Sequence, residues 1–156
     1  MYDGSGRLAR VAALLFALAG GCTSPDSQVP RAAEASGLRV EAARARLTPS
    51  RVGAVYLTLV NSTSKDDRLL TAGSTAAERT ELHEVIAEGE VLRMHARPEG
   101  FMIPAGGSLE LKPGGKHVML YAVRTETAEL DLTLHFERAG PVRLRVPVGG
   151  PGGEMP

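Results

Sequence analysis

From Leu38 onward apolar and polar residues alternate with period two, and clusters of Gly, Pro, Asn, Asp and Ser interrupt the alternation at short intervals. In Leu130-Asp-Leu-Thr-Leu-His-Phe136 the residues Leu130, Leu132, Leu134 and Phe136 share one face of an extended chain, and Asp131, Thr133 and His135 share the other. The same pattern predicts strands at 38–48, 52–61, 68–72, 79–87, 90–96, 108–112, 116–124 and 141–147. Asn61-Ser-Thr-Ser-Lys-Asp-Asp67 and Lys112-Pro-Gly-Gly115 between them are turn chemistry. No segment from 38 to 148 holds a helical stripe long enough to cover a parallel sheet. The expected fold is therefore all-β, an antiparallel sandwich or barrel.

The two ends read differently. Residues 1–22 have the build of a signal peptide: Arg7 and Arg10 before the apolar run Val11 to Ala19, then Gly20-Gly21-Cys22. The run is short for a bilayer span. Ala17-Leu18-Ala19 fits an ordinary signal-peptidase site, whereas Ala19-Gly20-Gly21-Cys22 resembles a bacterial lipobox with Ala19 where leucine is usual. Cys22 is the only cysteine, so it cannot close an internal disulfide, and lipid attachment is its preferred role over that of an incidental thiol. Either cleavage puts the mature domain outside the cytoplasm, in the periplasm or on the outer face of the envelope. Residues 23–37 read as a flexible tether, 38–148 as the folded domain and 149–156 as a disordered tail.

Basic and acidic residues balance at 18 each, and only three Tyr and three Phe are available for stacking. Nucleic acid and anionic membrane surfaces are therefore not the expected partners, a lipid anchor aside, and a monomer is expected.

Two His/Met pairs carry the chemistry. Segments 81–87 and 90–96 flank Glu88-Gly89, a two-residue hairpin signal. With those two residues as the loop, His83 faces Met94 directly, with Cβ atoms about 4.5–5.5 Å apart. In His117-Val118-Met119 the first and third residues project from the same side of a strand. Chance readily supplies one such pair, and buried Met is usually core filler. Two pairs that each satisfy strand geometry point to a shared ion. Neutral thioether sulfur suits Cu(I), whereas structural zinc favours thiolates, and calcium and magnesium favour oxygens. A blue-copper electron carrier would need a cysteine on the folded domain, where none is found.

Ala54-Val-Tyr-Leu-Thr-Leu-Val-Asn61, Asp66-Asp-Arg-Leu-Leu70, Glu81-Leu-His-Glu84, Ile103-Pro-Ala-Gly-Gly107, Leu109-Glu-Leu-Lys-Pro-Gly-Gly115 and His117-Val-Met-Leu120 resemble the periplasmic copper chaperone family of the PCu(A)C type. The resemblance covers most of 38–148. It implies a cupredoxin-like β-sandwich that binds Cu(I) through His83, Met94, His117 and Met119 and delivers it to the dinuclear copper centre of cytochrome c oxidase. The recipient would be a copper-accepting domain of an oxidase subunit or another copper carrier. Two departures stand out: twenty-two residues separate Met94 from His117, one more than the family's usual spacing, and Glu84 stands where some members carry Met. Envelope copper buffering or resistance, and a lipoprotein interaction module without metal, are the alternatives.

Other candidates are weaker. His95 follows Met94 and so points to the opposite face, Met102 is expected to pack in a loop, and His135 faces outward. His83-Glu84 lacks the second histidine of a zinc-protease motif, because position 87 is Ala. With no acidic pair and no Ser-His-Asp order, an enzyme is not expected.

Overall fold

A computed structural model describes residues 34–124 and 128–149. The predicted signal peptide with Cys22, residues 23–33 of the predicted tether and residues 150–156 of the predicted tail lie outside the described residues. Among the described residues the regular elements are all strands: β1 (Glu34–Ala35), β2 (Leu38–Leu47), β3 (Gly53–Asn61), β4 (Asp67–Gly73), β5 (Arg79–Glu88), β6 (Val91–Ala96), β7 (Phe101–Ile103), β8 (Ser108–Leu111), β9 (Lys116–Tyr121), β10 (Glu129–Phe136) and β11 (Gly140–Gly149).

Hydrogen bonding runs in the order β6-β5-β9-β3-β2-β11-β10-β4-β7, with β1 on β2 and β8 on β3. Neighbours are antiparallel except where Val148 and Gly149 of β11 run parallel to Ala45 and Arg46 of β2. That junction joins the two layers of a sandwich. Val55, Leu57, Leu59, Val118 and Leu120 of one layer, and Leu69, Ile103, Leu132, Leu134 and Val146 of the other, are at most 2 % exposed. They form the core that the period-two pattern anticipates, each side chain contributing about 1.5–3 kcal/mol by leaving water.

Strand β2 changes phase partway along. Glu41 pairs with Thr58 and Arg44 with Tyr56, so Ala42 and Ala43 together oppose Leu57, and Ala42 takes a positive φ of 51°. This β-bulge moves the inward set from Leu38 and Val40 to Ala45. Without it, Arg44 would point into the core.

Alternation did not reveal β1 or β7, which are too short to show a period. Placing β7 against β4 also requires Gly100, whose φ is +77° and where any Cβ would collide with the carbonyl oxygen of Leu69.

Candidate metal centre

The site lies on the outer face of the layer that contains β6, β5, β9 and β3. Leu82, Val118 and Leu120 point into the core, so the alternate residues Glu81, His83, His117, Met119 and Tyr121 point away from it. The pairing of β5 with β9 sets Arg79 opposite Tyr121, Glu81 opposite Met119 and His83 opposite His117. The two imidazole centroids are 5.9 Å apart and inclined at 47°. Tyr56 of β3 lies 6.4 Å from the His117 ring, and Tyr121 lies 6.4 Å from the His83 ring. Although they face outward, His83 is only 8 % exposed and His117 only 5 %.

The turn before β9 positions His117. Gly115 N–H donates to the Lys112 carbonyl at 3.0 Å, Lys112 N–H donates to the Lys116 carbonyl at 2.8 Å, and Gly114 takes a φ of +72°. The Gly115 carbonyl then accepts from His117 Nδ1 at 3.0 Å.

The expected hairpin register is corrected by two residues. Glu88 pairs with Val91, so the loop is Gly89-Glu90 and not Glu88-Gly89. Gly89 supplies a positive φ of 65° at the first loop position, the demand of a II′-type turn. Glu88 also stays within the sheet, where it binds Arg93 and His95 at 2.9 Å each. His83 is consequently opposite Ala96, and Met94 is opposite Val85. Because the displacement is an even number, Met94 remains on the face of His83, now on the diagonal, where neighbouring residues of a sheet are about 7–8 Å apart and their Cβ atoms somewhat closer. His83, Met94, His117 and Met119 thus occupy three adjacent strands on one face. Met119 is half-buried, while Met94, on edge strand β6, is 51 % exposed.

Of the remaining candidates, His95 pairs with Glu84 on the opposite face, and His135 is exposed on β10. Met102 is not in a loop. It sits on β7 opposite Arg68, in the other layer and 48 % exposed.

The electrostatics centre on Glu81. His83 Nε2 donates to Glu81 Oε2 at 2.9 Å, and Arg79 Nη1 donates to Glu81 Oε1 at 2.7 Å. The bond from His83, with help from Tyr121 and Arg79, holds the Glu81 carboxyl below its ordinary range. Burial, and then the bond to Glu81, pushes the Tyr121 hydroxyl up. Burial pushes the His117 imidazole down; the Gly115 carbonyl opposes that shift and the neighbouring His83 adds to it. A depressed imidazole is neutral at physiological pH and keeps a lone pair free for a metal. His83 Nδ1 is buried and has no hydrogen-bond partner, a costly state that a bound cation would relieve.

Among the described residues, no three His, Cys, Asp or Glu side chains form a metal-holding group. A cation here would need the thioethers, and that donor set fits a soft monovalent ion. Glu81, Tyr56 and Tyr121 did not emerge from the His/Met spacing. Glu81 was nonetheless detectable, because it precedes His83 by two on the same strand face.

Comparison with known proteins places these features in context. The family model described as "Putative lipoprotein LpqE-like" matches residues 38–148. The "Putative lipoprotein Lxx21020" of Leifsonia xyli subsp. xyli is 31 % identical over 146 residues, which are 91 % of this chain and 88 % of that protein. The copper-bound PCuAC domain from PmoF2 superposes with a TM-score of 0.64 at 22 % identity, covering 77 % of this chain and 98 % of that one. The Cu(I) form of DR1885 from Deinococcus radiodurans gives 0.55 at 24 % identity, covering 76 % and 80 %. The shared fold is the cupredoxin-like β-sandwich.

Proposed function

The chain belongs to the LpqE-like family, of PCu(A)C type, and on that premise we propose that it is an extracytoplasmic carrier of one Cu(I) ion. His83, Met94, His117 and Met119 are the ligands, and the protein is not an enzyme. The observation that carries this reading is the buried His83/His117 pair on an outward sheet face, with a Met on the strand to either side of β5. Two similar folds have been solved with copper, the PmoF2 domain and DR1885, the latter with Cu(I). Two imidazoles and two thioethers hold Cu(I) without thiols that would oxidise outside the cytoplasm.

The exposure of Met94 suits transfer. A sulfur ligand at the sheet edge can be exchanged for an acceptor's ligand while the two imidazoles still hold the ion. The recipient in this reading is the copper-accepting domain of a cytochrome c oxidase subunit, and the carrier acts as a monomer anchored to the envelope through lipidated Cys22.

Anaerobic Cu(I) titration against a competing chelator tests the site, comparing wild type with His117→Ala and Met119→Ala. One tightly held ion with mixed nitrogen and sulfur scattering in X-ray absorption is expected. An all-oxygen shell or no stoichiometric binding would overturn the reading and favour a metal-free interaction module. Mixing the loaded protein with a soluble oxidase copper domain tests delivery; copper that stays on the carrier would indicate buffering instead. Cys22→Ser should release the protein from the membrane fraction, and unchanged association would point to another anchor.

A further inference from the structure

The two imidazoles are held by different neighbours at different nitrogens. Glu81 Oε2 lies 2.9 Å from His83 Nε2. A carboxylate can only accept, so Nε2 carries the proton and the lone pair of the neutral ring is on Nδ1. That nitrogen is the buried one without a partner. In His117 it is Nδ1 that meets an acceptor, the Gly115 carbonyl at 3.0 Å, so the lone pair is on Nε2. Resting on the carrier reading above, we propose that Glu81 is a positioning residue: it commits His83 to metal donation through Nδ1 while His117 donates through Nε2, so the two rings meet one ion as opposite tautomers.

Glu81 is itself well fixed for this task. Each of its oxygens has its own charged or aromatic-ring donor, Arg79 Nη1 at 2.7 Å on Oε1 and His83 at 2.9 Å on Oε2. The Arg79 guanidinium in turn lies 4.1 Å over the Tyr121 ring, and Tyr121 helps to hold the Glu81 carboxyl below its ordinary range. Rotating the His83 ring by half a turn would set Cε1–H against the carboxylate in place of Nε2–H and forfeit the hydrogen bond, and the other neutral tautomer would set a lone pair against it. A second consequence concerns charge. Two imidazoles and two thioethers are neutral, so a bound Cu(I) leaves a net positive charge, and the Glu81 carboxylate, which is shared with the solvent-exposed Arg79, offsets part of that charge one hydrogen bond away. A carboxylate bonded to the distal nitrogen of a ligating histidine also raises the basicity of that ligand.

Nitrogen-15 NMR of the imidazoles tests this in the whole protein, first without metal and then loaded with Cu(I). The expected apo pattern is a protonated Nε2 on His83 and a protonated Nδ1 on His117. Loading should move the His83 Nδ1 and His117 Nε2 resonances. Glu81→Gln keeps an acceptor but removes the charge, so the tautomers should persist while the Cu(II)/Cu(I) potential rises. Glu81→Leu removes both. His83 should then exchange between tautomers, and Cu(I) affinity should fall about 10- to 100-fold in a protein that still folds. Metal contact through His83 Nε2 in the wild type, or a Glu81→Leu variant with unchanged tautomers and affinity, would overturn the proposal. Reversed tautomers in a protein that binds Cu(I) would sink the donor assignment alone. Expected tautomers in a protein that binds no Cu(I) would sink the carrier reading and the donor assignment together.

Discussion

Asn61 and Asp67 lie at one corner of the sandwich and His83 and His117 on its outer face, and these four are the buried polar residues among those described. At the corner every polar atom is engaged. Asp67 accepts from the backbone N–H groups of Arg68, Arg138 and Ala139 at 2.7, 2.9 and 3.0 Å. Asn61 donates to the Lys65 and Ile103 carbonyls and accepts from the N–H and hydroxyl of Thr63. On the outer face His83 Nδ1 has nothing. Burial alone does not separate the two regions, because Asp67 at 6 % exposure is as enclosed as the histidines at 8 % and 5 %. Satisfaction does: a fully bonded buried group is part of the architecture, and an unbonded one stands ready for a ligand.

The sharpest way to break this contrast is to replace His83 with leucine. The change removes the unpartnered Nδ1 together with one hydrogen bond, from Nε2 to Glu81, so stability should fall by no more than about 1 kcal/mol, whereas Cu(I) affinity should fall on the order of a thousandfold, beyond the ~10–100-fold that follows loss of an outer-shell partner. Chemical denaturation and chelator competition on the same sample would report both. A large loss of stability would place His83 with the corner residues. Asp67→Ala should do the reverse. Three backbone donors lose their acceptor, so stability should drop by about 3 kcal/mol in urea denaturation, while the folded fraction retains wild-type Cu(I) affinity. A weakened copper site in that variant would show the two regions to be coupled.

The smallest effect should be the pH dependence of the metal-free protein. His117 is held below its ordinary value of 6.5 when folded, so the unfolded chain binds more protons and stability falls as pH drops from about 6.5 toward the folded value. Glu81 and Glu84, held below their ordinary 4.5 chiefly by His83 and by Lys116 respectively, remain ionised above that pH and do not contribute in this window. The melting temperature of His117→Gln should therefore vary less between pH 6.5 and 5 than that of wild type. Equal slopes would mean that His117 is not the group responsible.

Much of the fold was legible because alternation is local. The inward sets of β3, β9 and β10 follow directly from it, and Val118 and Leu120 face the core as His117-Val118-Met119 requires. The bulge at Ala42 and Ala43 was not legible, because what fixes it is the two-against-one pairing with Leu57 on a neighbouring strand. Glu81 was present in the pattern but unrecognised, since a carboxylate two residues from a histidine gains meaning only once their 2.9 Å contact is known.

By itself the sequence determined nine of the eleven strands described and, outside the bulge in β2, which side their residues face, because side-chain parity depends only on the chain's own pleat. It survived the hairpin correction for that reason: a shift of two residues changes the partners of His83 and Met94 and leaves their face unchanged. Only the tertiary structure decided that His83 stands opposite His117, a pairing of segments on different strands. It also decided that this outward face is enclosed and that Met94 is left at its open edge. Those outcomes depend on loop geometry and on packing between strands distant in the chain, which no local periodicity encodes.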